Sequence, residues 1–149
     1  LLDILSDTHT LMSSLLEKNK VVLTFTNSFN PKLKGDMVML QQVFMILVSN
    51  SIDALEHNSD DDRRIDIITT QNHENAFINV FDNGSGIPHD VIEKMFDPYF
   101  TTKHASRGTG LGLFIAKSIV ELKFHGTISA LNQSNGGTVF TLVIPLCTE

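Results

Sequence analysis

The run "GTGLGL" sets Gly108, Gly110 and Gly112 directly ahead of an amphipathic segment, with Lys103 and Arg107 just upstream. Backbone N–H groups exposed at the start of a helix, reinforced by the helix dipole, attract anions. The chemistry this arrangement suits is phosphate binding. It is not a Walker loop, because no "GK[ST]" follows, and no strand immediately precedes it as a dinucleotide fingerprint requires. The alternative is a flexible loop leading to a capped helix, which leaves the entropic cost of the glycines unexplained.

Three other stretches carry polar groups at useful positions. "FDNGSGIP" (residues 81–88) ends a β-rich run in Asp82 and follows it with Gly84 and Gly86. A carboxylate at the end of a buried strand can accept a hydrogen bond from an exocyclic amine such as that of adenine. "DNG" is equally an ordinary turn. In "LQQVFMILVSNSIDAL" (residues 40–55), Leu40, Val43, Phe44, Leu47 and Ala54 form an apolar helical stripe, with Asn50 at its edge. Ile46, Asp53 and His57 lie on the same side as Asn50. An asparagine carbonyl oxygen suits a hard cation such as Mg²⁺ that shares phosphate oxygens; the plainer reading is a boundary asparagine with no role. "NGGTVF" turns at Gly136 and Gly137 into a strand headed by Thr138, a pocket contact or simply a strand threonine.

These residues need elements to hold them. Helical periodicity marks residues 1–18 through Ile4, Leu5, Leu11, Met12, Leu15 and Leu16. A β-branched and aromatic run follows at 21–29, and Gly35-Asp36 caps a second helix reaching about residue 57. "RIDIITTQ" and "NAFINVFD" form a hairpin, residues 88–95 a short helix, and 111–123 a longer one with Leu113, Ala116, Ile119 and Val120 inward and Phe114 as an outlier. Residues 126–131 and 137–146 close the chain as strands. Strands in adjacent pairs with helices between the pairs predict an α+β fold: a two-layer sandwich of a mixed, mainly antiparallel sheet with helices on one face.

The chain has 149 residues, which predicts one domain spanning 1–149. Its net charge of −6 disfavours a nucleic-acid partner, which requires a basic face. The single Cys147 excludes an internal disulfide and a cysteine zinc site, and fits a reducing, cytoplasmic setting. The six histidines show no metal-ligand spacing, and each reads as a surface or loop residue. No tract is read as a membrane span, and no signal peptide is visible. The first residue, Leu1, suggests a piece of a longer protein.

In this order, "LQQVFMILVSNSIDAL", "FDNGSGIP", "FDPYFTTK", "GTGLGLFIAKSIVE" and "NGGTVF" resemble the N, G1, F, G2 and terminal GT boxes of bacterial sensor histidine kinases. The resemblance covers about residues 35–146, and the wording "FDPYFTTK" and "NSIDAL" is closest to the nitrogen-sensor-like branch. It implies the catalytic, ATP-binding domain with the Bergerat fold shared by DNA gyrase, mismatch-repair ATPases and heat-shock chaperones. The implied cofactors are ATP and Mg²⁺. Asn50 becomes the Mg²⁺ ligand, and Asp82 the adenine reader, with Gly84, Gly86 and Ile87 shaping the pocket. Residues 96–103 become the hinge of a lid whose centre, 104–107, is expected to be poorly ordered without nucleotide. Gly108, Thr109, Gly110, Leu111, Gly112 and Leu113 line the triphosphate. Asp53, Lys103, Arg107 and Thr138 complete the nucleotide contacts, Thr138 through water.

Two features depart from the family. Hydrolytic relatives carry a glutamate, and histidine kinases usually an asparagine, where this chain has Ile46. Isoleucine cannot activate water, which argues against an ATPase. It leaves open a degenerate module that binds nucleotide for regulation. No acceptor-histidine box is present, so the dimerisation and phosphoacceptor helices belong to a separate domain. The fragment is then expected to be monomeric and unable to autophosphorylate. The implied partners are that domain, in a homodimer of the full protein, and a response regulator receiver domain. The parent is expected to be anchored in the inner membrane with this domain on the cytoplasmic side.

Overall fold

The computed structural model describes residues 1–103 and 108–147. Its elements run α1 (Leu2–Lys18), β1 (Val22–Asn27), α2 (Met37–Ala54), β2 (Arg64–Gln71), β3 (Asn75–Asp82), α3 (His89–Ile92), α4 (Gly112–Phe124), β4 (Thr127–Asn132) and β5 (Thr138–Pro145). The five strands form one sheet in the order β1-β2-β3-β5-β4. Only β1–β2 is parallel; the other pairings are antiparallel. The predicted α+β class and mixed, mainly antiparallel sheet are therefore what the chain adopts.

Strand alternation decides the layers. Ile65, Ile67, Ile78, Val80, Leu142 and Ile144 point to one face and are fully buried. Leu40, Val43, Phe44, Leu47 and Val48 of α2 meet them with no exposed surface. Each such side chain contributes about 1.5–3 kcal/mol relative to exposure. α2 packs centrally, between α1 and α4. Asp36 starts it by accepting a hydrogen bond from the Val38 N–H at 2.9 Å.

Four details differ from the sequence reading. α1 buries Leu5, Thr8, Met12 and Leu16, whereas Leu11 and Leu15 are exposed. That helix has two apolar faces, and only the one containing Thr8 meets the core; the Thr8 hydroxyl is satisfied by the Ile4 carbonyl at 2.7 Å. α2 ends at Ala54, and the chain continues in turns closed by Glu56 N–H to Asp53 O and Asn58 N–H to Leu55 O. Residues 88–95 hold only the four-residue α3. Tight turns follow it, with Asp97 N–H donating to Lys94 O and Phe100 N–H to Asp97 O. Pro98 lacks an N–H and disfavours helical geometry at Asp97. Finally, α2 is long and apolar enough by length and composition to cross a membrane, with mean hydropathy 1.3. Its buried stripe against the sheet accounts for that composition as a core helix.

Candidate functional site: a cleft between α2 and α4

α2, the start of α4 and the loops between them line a cleft of about 1060 Å³. Its floor is the end of β3 and the start of β5. There Asp82 and Thr138 are register partners, and both are buried at 2% and 1% exposure. Asp82 Oδ1 accepts from the Gly84 N–H at 2.9 Å and from the Thr138 N–H at 3.3 Å. Asp82 Oδ2, Thr138 Oγ1 and Ser51 Oγ are buried and find no hydrogen-bond partner among the described residues. Asp82 and Thr138 line the cleft, and their two orphaned oxygens mark a place built for a polar ligand. Burial raises the Asp82 pKa above the ordinary carboxylate value, opposed by the N–H groups of Gly84 and Thr138 and by the nearby Ser51 hydroxyl.

The floor's backbone is held from the β4–β5 hairpin. Gln133 Nε2 donates to the carbonyls of Asp82 and Thr138 at 2.9 and 3.1 Å. Asn132 pairs with Ile87 in both directions, each bond 2.7 Å. A side chain at Gly137 (φ +85°) would sit 1.9 Å from the Asp82 carbonyl oxygen, so only glycine permits this approach. Gly84 does not line the cleft; a side chain there would strike the Ala54 carbonyl at 2.5 Å, so it allows the loop to pack on the end of α2.

On the α2 wall, Asn50 Nδ2 donates to the Ile46 carbonyl at 2.9 Å. Its amide nitrogen is thus engaged, and Oδ1 is the atom left to serve the cleft, which fits a hard cation. Among the described residues no group of three His, Cys, Asp or Glu could hold a metal. A cation here would have to draw further ligands from phosphate and water. Ile46 and Asp53 line the same wall.

The opposite wall is the glycine loop and the start of α4. Gly108, Thr109, Gly110, Gly112 and Leu113 face the cleft; Leu111 does not, and serves as the helix N-cap residue. α4 has no side-chain cap on its first N–H groups, which leaves donors for an anion. Gly110 has φ +70°, and a side chain there would lie 2.4 Å from the Tyr99 carbonyl carbon. The hinge residues 99–100 and the glycine loop therefore rest backbone on backbone. Lys103 lines the cleft and pairs with Asp53 at 2.5 Å. Arg107 and the expected lid centre lie outside the described residues.

Of the expected site residues, Asn50, Asp53, Asp82, Gly86, Ile87, Lys103, Gly108, Thr109, Gly110, Gly112, Leu113 and Thr138 converge on one cleft. Sequence reasoning missed Ser51, which lies on the buried side of α2, and the hairpin amides Asn132 and Gln133. Their only signal was a pair of polar side chains before the Gly-Gly turn. His57, read as a loop histidine, also lines the cleft.

Residues 35–148 match the family described as histidine kinase-, DNA gyrase B- and HSP90-like ATPases, and the chain belongs to it. Within that family it is an ATP-binding catalytic domain of the histidine kinase type. The sensor histidine kinase ZraS of Escherichia coli K12 is 35% identical over 91% of this chain and 28% of its own length. Sporulation kinase C of Bacillus subtilis is 33% identical over 97% of this chain and 31% of its own. The nucleotide-free catalytic domain of the histidine kinase ThkA superposes with a TM-score of 0.84 at 31% identity, covering 97% of this chain and 91% of that one. The chain thus spans about a third of these full kinases and nearly all of an isolated catalytic domain.

Proposed function

We propose that this domain binds Mg·ATP in the α2–α4 cleft and donates the γ-phosphate to a histidine on a separate helical dimerisation domain. The observation that carries the reading is the buried, unpartnered Asp82 Oδ2 facing a cleft whose far wall presents uncapped helix N–H groups. In this reading Asp82 accepts a hydrogen bond from the adenine amine, with Thr138 and Ser51 beside it. The start of α4 and the glycine loop hold the phosphates. Asn50 Oδ1 ligates Mg²⁺, which when bound neutralises phosphate charge.

The domain's share of catalysis is positioning and electrostatics, which dominate phosphoryl transfer. Ile46 supplies no carboxylate to activate water on the cleft wall, which supports transfer over hydrolysis. ThkA has been crystallised in complex with the response regulator TrrA, and that structure superposes here at TM-score 0.80 and 27% identity. A receiver domain is accordingly the proposed downstream partner, and the cytoplasmic side of a membrane the proposed location. Ile46 also motivates a second reading, a regulatory module that binds nucleotide without transferring it.

Titrating the 149-residue chain with ATP, with and without Mg²⁺, tests the binding step. Binding without steady hydrolysis is expected. Sustained turnover by the isolated domain would instead support an ATPase.

A further inference from the structure

Lys103 invites the reading of a phosphate ligand: a lysine beside a glycine loop in a nucleotide cleft. Its surroundings give a different picture. The Lys103 ammonium is 2.5 Å from Asp53 Oδ2, with the two side chains about a third and a half exposed. The Lys103 N–H donates to Thr101 Oγ1 at 3.0 Å, which fixes the backbone just before the side chain. Its stem passes so close to Gly108 that a side chain there would meet Lys103 Cδ at 3.1 Å. The lysine is held between the glycine loop and α2, and its charge is aimed at a carboxylate.

That carboxylate is a liability to the proposed ligand. The described residues that line the cleft include Asp53, Asp82 and Lys103. Asp82 sits at the floor, where the base is proposed to bind. Asp53 follows Asn50 by three residues on α2, so the two share the wall assigned to the cation and phosphates. A naked carboxylate there would repel a polyphosphate through a partly desolvated cleft, where repulsion is stronger than in bulk water.

We propose that Lys103 serves the phosphate end of the cleft by neutralising Asp53 and not by ligating phosphate. Asp53 and Lys103 act as one electroneutral unit that spans the two walls. Lys103 is thus a positioning and charge-balancing residue, and its importance depends on the presence of Asp53. This inference rests on the nucleotide reading above.

The test is a cycle of Lys103→Met, Asp53→Asn and the double variant, each titrated with Mg·ATP by calorimetry at low and at high salt. Both side chains are partly exposed, and circular dichroism and thermal melts verify that the variants fold. Lys103→Met is expected to weaken binding about two- to six-fold at low salt, with a smaller loss at high salt. Adding Asp53→Asn to it restores affinity to near the wild-type value, and Asp53→Asn alone tightens binding at low salt, because it leaves the Lys103 ammonium unneutralised. If the double variant stays as weak as Lys103→Met, the lysine ligates phosphate directly and the inference fails. It also fails if Lys103→Met is silent, or if Asp53→Asn alone weakens binding, which would make the carboxylate a cation ligand. Absence of binding by the wild type would overturn the nucleotide reading itself, a result distinct from a wild type that binds without the rescue.

Discussion

Replacing Asp82 with asparagine separates recognition from stability. The carboxylate is 2% exposed, and its Oδ1 is engaged by the N–H groups of Gly84 and Thr138. An asparagine can keep those contacts with its own carbonyl oxygen. Its NH₂ then faces the cleft where Oδ2 stood, donor against the donor of an adenine amine. A hydrogen bond to a charged acceptor contributes about 1.5–3 kcal/mol, so the affinity for Mg·ATP should fall about ten- to 150-fold. Stability should not follow. Burial raises the Asp82 pKa, so the folded state favours the protonated form. The stability this contributes is fully present below the ordinary carboxylate range and is lost as pH rises through the folded pKa. Asparagine has no such loss, so the variant should gain stability relative to wild type as pH rises above the ordinary carboxylate range. Calorimetric titration and denaturant unfolding over that rise in pH measure both effects. Unchanged ATP affinity would refute Asp82 as the base reader. A variant that loses relative stability with rising pH would refute the account of its burial.

Other outcomes follow from the same geometry. GTP should bind at least about tenfold more weakly than ATP, because guanine presents a carbonyl where adenine presents its amine, and competition against a fluorescent ATP analogue measures this. ATP affinity should fall with acid at a pH above the usual carboxylate range, since Asp82 must be ionised to accept the amine; nucleotide titrations over a pH series locate the midpoint. Gly137→Ala forces a side chain at φ +85° to within 1.9 Å of the Asp82 carbonyl, and should destabilise the fold by about 2–4 kcal/mol in denaturant unfolding. Asn50→Ala should remove most of the Mg²⁺ dependence of ATP binding while leaving the melting temperature of the free protein within a few degrees, because among the described residues its side chain bonds only the Ile46 carbonyl.

The strands were legible because alternation is a local signal. "RIDIITTQ" and "NAFINVFD" coincide with β2 and β3 to the residue. α2 was legible through its cap and stripe, and the glycine loop through composition alone. α1 was harder: Leu11 and Leu15 satisfy helical spacing as well as Met12 and Leu16 do, and only the position of α2 decides which face is buried. The cleft's support was not legible, since the amides of Asn132 and Gln133 act across 45 and 51 residues of chain on Ile87 and Asp82. Nor was the partner of Lys103. Both it and Asp53 were expected at the nucleotide, and only the folded chain brings them to each other.

Phosphoryl donation to a histidine can be read out in a single mixture. The domain is mixed with γ-labelled ATP, Mg²⁺ and the histidine-bearing helical domain of its parent protein. The expected result is an acid-labile phosphohistidine on the helical domain, no label on the catalytic domain alone, and loss of labelling with Asp82→Asn. ATP binding with no labelled histidine in the presence of that partner would contradict it, and would leave a nucleotide-responsive regulatory module in its place.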